Sequence, residues 1–156
     1  MKLSQPTRPY RLFFEHRPDY LFAYVHSETI SFEIARGYWV EILSMLHHRK
    51  YKRILIEKDV PQRLAAHDVF ELVSELAHSG CAGIHFAIFD RNFDAERCAF
   101  EEMVGTNRGL HVKIGGDRRE LERWLLSQST LIRPSKDMFP HFTDKAPRRF
   151  AAPQAA

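Results

Sequence analysis

Only two cysteines, Cys81 and Cys98, occur in 156 residues. Their spacing matches no metal motif and provides no disulfide framework, which points to a reducing, cytoplasmic setting. Apolar runs are short, and none approaches the length that spans a bilayer. Residues Met1 to Pro9 lack the apolar stretch and small-residue cleavage site of a signal peptide. Glycine is scarce, at seven residues, and forms neither a Walker-type loop nor a G-x-G-x-x-G turn. No G-x-S-x-G elbow occurs either, so the usual phosphate-cradling and nucleophile motifs are missing. Nine histidines are present, but none forms the i, i+4 pair of a helical zinc site, and His47 and His48 diverge as neighbours on a helix. His85 and His111 fall on adjacent expected strands, yet a zinc site there needs a third ligand that the sequence does not offer.

A surplus of basic charge is also missing from the part that folds. The chain carries +3 overall. Beyond Ser129, Arg133, Lys136, Lys145, Arg148 and Arg149 stand against Asp137 and Asp144, which already accounts for that value. Lys2 and Arg8 add to the leader, and Tyr10 to Gln128 holds sixteen basic and eighteen acidic residues, a net of −2. A body without positive excess has no phosphate-binding footprint, so nucleic acid is not expected as a partner.

What is present is the composition of a globular domain, 44% hydrophobic and 28% charged. Arg11 to His16 and Tyr20 to His26 are rich in aromatic and β-branched residues, with Pro18-Asp19 between them as turn chemistry, and predict an antiparallel hairpin. A helix follows, with Ser31 as N-cap and a stripe of Phe32, Ala35, Trp39, Ile42 and Leu46. Strands are then expected at 53–57, 84–89 and 110–114. They alternate with helices at 65–79, 94–108 and 117–128. The second helix is read as burying Ala66, Val69, Phe70, Val73, Leu76 and Ala77. Gly80 and Gly109 stand where helices end. Gly115-Gly116-Asp117 reads as a tight turn, since Asp117 would occupy the amide donors of the helix it starts. Trp39 and Trp124 are expected as core anchors. The order β-β-α-β-α-β-α-β-α implies an α/β domain over residues 10–128, with a mostly parallel five-stranded sheet and right-handed crossovers. Residues 129–156, punctuated by Pro134, Pro140, Pro147 and Pro153, read as a basic Pro-rich extension.

Asn107-Arg108-Gly109, the strand Val112-Lys113-Ile114, then Asp117 and Trp124-Leu125 of the closing helix follow one another as they do in a known family. Ile30-Ser31 also enters the first helix after a tyrosine-rich strand. Over Tyr10 to Gln128 the chain resembles STAS domains, the sulfate-transporter and anti-sigma-factor-antagonist group, and above all their compact bacterial branch. That branch is similar in fold to the lipid-carrying Sec14-type domains. The resemblance implies helices mainly on one face of the sheet and a non-catalytic regulatory or protein-interaction role. Its Sec14 side implies the alternative, a carrier or sensor of a small hydrophobic ligand. No enzyme activity, cofactor or metal is expected. Strand two adds a surface: Leu21, Ala23 and Val25 face one way and Tyr20, Phe22 and Tyr24 the other. If helices cover one face only, these three aromatics form an interaction face. Its cover is either a second subunit, giving a homodimer, or the aromatic residues Phe139, Phe142 and Phe150 of the extension.

The family's phosphorylation switch uses a Ser or Thr at the start of the helix after the third strand. Here that stretch runs from Glu57 to Leu64, and no Ser or Thr lies between Ser44 and Ser74. Without a hydroxyl there is no phosphate acceptor. Incubation with serine/threonine kinases should therefore leave residues 59–66 unmodified by mass spectrometry; phosphate found there would refute this reading.

Overall fold

The computed structural model describes residues 8–129. The elements, in chain order, are β1 (Arg11–His16), β2 (Leu21–His26), α1 (Phe32–Arg49), β3 (Arg53–Asp59), α2 (Ala66–Ala77), β4 (His85–Asp90), α3 (Ala95–Asn107), β5 (His111–Gly115) and α4 (Arg118–Ser127). Their boundaries lie within about two residues of those read from periodicity, the usual scatter at element ends. The sheet runs β1-β2-β3-β4-β5, antiparallel at β1–β2 and parallel elsewhere. No described helix is long and apolar enough to cross a membrane. The extension, Ser129 apart, lies outside the described residues, and so do Phe139, Phe142 and Phe150.

Local chemistry sets the helix ends. The Ser31 hydroxyl accepts from the Ile34 amide, and the Asp94 carboxylate from the Arg97 amide. Asp117 accepts from both Arg119 and Glu120 at the start of α4, so the donors of that turn are already satisfied. Gly109 takes a φ of 84° immediately after α3, a conformation in which a side chain would be strained. Gly105 answers a different need. A Cβ there would come within 2.8 Å of Val112 Cγ1, so its lack of a side chain lets α3 lie close on β5.

Each parallel crossover steps one strand along the sheet, which places α1, α2 and α3 on the same face. The main core lies there: Leu21, Ala23 and Val25 from β2, Ile54 and Ile56 from β3, and Phe86 and Ile88 from β4 pack against Ile42, Leu46 and Leu72. Leu110, Val112 and Ile114 join that layer. Two expected stripes are corrected by rotation. On α1 the buried set is Ala35, Tyr38, Ile42, Leu43 and Leu46, so Tyr38 takes the centre and Trp39 stands half-buried, edge-on to Phe86 at 5.9 Å. On α2 it is Val69, Leu72 and Leu76. Phe70 instead turns sideways onto Phe100 of α3, at 5.5 Å. On α2 the neighbouring helix thus takes the larger aromatic from the sheet, whereas Trp39 of α1 keeps its contact with β4.

The fourth helix crosses to the other face. Leu121 and Leu125 are buried against Tyr20, Leu55 and Ala87. Trp124 meets His85 edge-on at 6.2 Å, and like Trp39 it is half-buried. Arg53 Nη2 donates to the Gln128 carbonyl and ties the end of α4 to the start of β3. This second core is small, so each member weighs heavily. Leu121→Ala should cost about 2–5 kcal/mol in urea denaturation; a loss below ~1 kcal/mol would mean that α4 is not held as described.

Candidate functional interface

Strand alternation assigns the second face row by row. Phe13, Tyr24, Glu57 and Phe89 are aligned across β1 to β4, and Glu15, Phe22, Leu55, Ala87 and Lys113 across β1 to β5. Helix α4 packs on β3, β4 and β5. Among the described residues none packs over the β1–β2 half as α4 does over the other, and Phe13 has 60% relative exposure. The expected interaction face is therefore divided. Tyr20 is 4% exposed and belongs to the second core; Phe22 and Tyr24 are half-buried and border the open half. The correction at Tyr20 follows from α4, which the reading of helices on one face had placed elsewhere.

Guanidinium groups lie over these rings. Arg17 sits 4.7 Å from the Phe22 centroid and Arg118 5.1 Å, while Arg91 is 5.5 Å from that of Tyr24. Such contacts contribute roughly 0.5–1 kcal/mol each at exposed sites. Arg17 also donates to the Tyr20 hydroxyl at 2.6 Å. Behind the rings stand carboxylates: Arg91 reaches Glu57 at 3.4 Å and Asp59 at 3.5 Å, and Arg118 reaches Glu57 at 3.8 Å. Tyr24 donates to Asp59 Oδ2 at 2.9 Å. Burial, together with that hydrogen bond, holds the Tyr24 hydroxyl above the ordinary tyrosine range. Toward Arg91 and Arg118 the acid is the deeper partner: the Glu57 side chain is 11% exposed, against 49% for Arg91 and 40% for Arg118. Arg17 differs, because the Glu15 it pairs with at 3.2 Å is the more exposed of the two. The surface offered outward is aromatic at its centre, with Arg91 and Arg118 along one side and the Arg17–Glu15 pair beside them.

A second polar cluster lies at the carboxyl end of the sheet. Asp90, 1% exposed, accepts from Arg63 Nη1 at 2.9 Å and from the Asn92 amide at 2.9 Å. Arg63 donates as well to the Asn92 carbonyl. Cys98 Sγ lies 3.7 Å from Asp90 Oδ2. This ties the loop after β3 to the loop after β4. Val60 is fully buried in the first loop, and Gln62 Oε1 accepts from the Ile30 amide. The stretch where the resembled family carries its switch is thus occupied by a fixed ion pair. Burial pushes both the Cys81 and the Cys98 thiol up, away from the thiolate form that reacts.

On the helical face, α1, α2, α3 and the sheet enclose a cavity of about 90 Å³, lined mainly by apolar side chains such as Trp39, Leu72 and Phe86. Lys58 and Glu101, 3.9 Å apart, also line it. His85 and His111 stack at 4.9 Å with an interplanar angle of 25°, so their nitrogens do not converge on one point. Among the described residues no three His, Cys, Asp or Glu side chains gather as metal ligands would. His85 is buried between His111 and Trp124, and its Nδ1 has no partner among the described residues. Burial, reinforced by His111 and Arg53, holds its pKa below the ordinary 6.5. The exposed Phe13 was the residue that sequence reading missed. Its signal was the alternation of β1, where Leu12 and Phe14 go to the helices and Phe13 must go to the other side.

In comparisons with known proteins, the chain matches no family model and no curated protein.

The lowered pKa of His85 makes a signed forecast. The unfolded chain takes up this proton near 6.5, whereas the folded one resists it until a lower pH. The neutral form's contribution is complete above 6.5 and is lost as pH falls toward the folded value. Urea midpoints should therefore drop as pH is lowered below about 6.5, and His85→Phe should flatten that part of the curve. An identical slope in the variant would refute the assignment.

Proposed function

We propose that this protein is a non-catalytic interaction module of STAS-like type, and that it binds a protein partner through the open half of the second sheet face. The observation that carries the proposal is Phe13, 60% exposed on a strand, beside Phe22 and Tyr24 under three guanidiniums. Aromatic and arginine side chains are the types that dominate binding energy at protein interfaces. Arg91 and Arg118 stand farther out than the Glu57 they share, so the partner would present an apolar centre with carboxylate at that side.

The alternatives have less support. Glu57, Asp59 and Asp90 are each held by arginine, and both thiols are buried with raised pKa. A general base or nucleophile would need to be freer. A hydrophobic-ligand carrier would use the cavity under the helices, but about 90 Å³ falls well short of the roughly 300–1,000 Å³ of small-molecule pockets. Regulation in this reading comes from competition for the face rather than from phosphate after β3. Two free, buried cysteines are consistent with work in a reducing cytoplasm.

Phe13→Asp and Arg91→Glu test the proposal in full-length protein. Both positions are largely exposed, so folding stability should change by no more than about 0.5–1 kcal/mol. Proximity labelling in cells should show neighbours of the wild-type protein that each variant loses, with binding weakened roughly tenfold or more. The same labelled set from wild type and both variants would exclude this face.

A further inference from the structure

The chain leaves α4 at the border of the open face. The Gln128 carbonyl is held by Arg53, the first residue of β3, and β2 with Phe22 is the next strand. The residues that follow have a particular order. Asp137 and Asp144 bracket a stretch containing Met138, Phe139 and Phe142. Lys136 and Lys145 flank it, so the residues from 136 to 145 are electrically neutral, and the +3 of the extension resides in Arg133, Arg148 and Arg149. An apolar centre with a carboxylate at each side is the complement of an aromatic centre with a guanidinium rim.

We propose that the segment from Asp137 to Asp144 docks on the open half of the second sheet face of its own chain, Phe139 and Phe142 against Phe13, Phe22 and Tyr24, and so occupies the partner site from within. This rests on the interaction reading above, because it makes the segment a built-in competitor for that site. Reach is ample. Eight residues lie between Gln128 and Asp137 and the span extends up to ~30 Å, whereas crossing from β3 to β1 takes two strand spacings of roughly 4.8 Å each. Tethering favours the intramolecular contact, since a short linker gives an effective concentration in the millimolar range, by order of magnitude. The two aspartates find Arg91 and Arg118 as rim partners, groups whose own carboxylate, Glu57, lies deeper, while Arg17 is already shared with the exposed Glu15. A partner protein would then have to displace the segment, and its apparent affinity falls by the fraction of chains that are open.

The test uses the full chain with p-benzoylphenylalanine in place of Phe139, prepared with natural-abundance nitrogen and mixed equally with the same protein uniformly labelled with nitrogen-15. After irradiation, peptide mass spectrometry should find crosslinks to β1 or β2 within chains of one isotope. Crosslinks joining heavy to light chains would overturn the proposal in favour of a second copy of this chain on the face. Absence of any crosslink to β1 or β2 would overturn it outright. A second measurement covers disturbance by the probe: Phe139→Ser combined with Phe142→Ser should raise the fluorescence of an apolar dye severalfold, and Phe13→Asp in that background should abolish the rise. Unchanged dye binding would count against the docking. If docking fails while Phe13→Asp still abolishes partner labelling, the interaction reading stands without it; if docking holds and labelling is unaffected, the partner reading falls instead.

Discussion

Leu55 and Ala87 sit at the middle of the sheet on the face that α1, α2 and α3 do not reach, and what covers them decides the character of the molecule. Both are fully buried, under Leu121 and Leu125. Were α4 to pack elsewhere, the whole second face would be wet, from Phe13 to Lys113. Among the described residues, α4 leaves the β1–β2 half without a cover. The boundary between structure and surface therefore falls between Tyr20, inside, and Phe22 and Tyr24, at the margin. A ten-residue helix cannot cover five strands, each roughly 4.8 Å from the next.

The same limit explains how arginine is used. Phe22 and Tyr24 are only half-buried, and Arg17, Arg91 and, from the first turn of α4, Arg118 lay their planar heads over them. A guanidinium covers a ring while keeping contact with water. Glu57 and Asp59 behind them keep those heads in place. On the opposite face, Arg63 and Asp90 do a different job, in which one buried carboxylate fastens two loops.

Strand and helix order was legible because hydrophobic period and punctuation agree along the chain: Ser31, Asp94 and Asp117 stand where caps form, and Gly109 where a left-handed residue is required. The β2 alternation also placed Leu21, Ala23 and Val25 on one face and the aromatics on the other. What could not be read was which face each helix chooses. The apolar positions of α4, Leu121, Trp124 and Leu125, suit either side of the sheet equally. Only the return of the chain from β5 across β4 and β3 selects one, and that moved Tyr20 from the expected surface into a core. The turn of Phe70 toward Phe100 has a similar origin, because a one-dimensional pattern cannot weigh a helix neighbour against the sheet. Phe13 is set by the alternation of β1 and by the register Phe13↔Tyr24, which places the two rings together.

The order of elements also gives the molecule a history during synthesis. The first three helices each lie between consecutive strands of the sheet, so the main core closes piece by piece as the chain emerges. The second core has to wait. Tyr20 and Leu55 are made early, and their cover arrives only with Leu121 and Leu125. Emerging at about 5–20 residues per second, the chain carries an uncovered apolar strip on a nearly finished sheet for several seconds. Partly folded chains of this kind are the ones that aggregate or recruit chaperones, and the charged residues Arg11 and Glu15 on the edge strand β1 guard the sheet against edge-to-edge pairing in that interval.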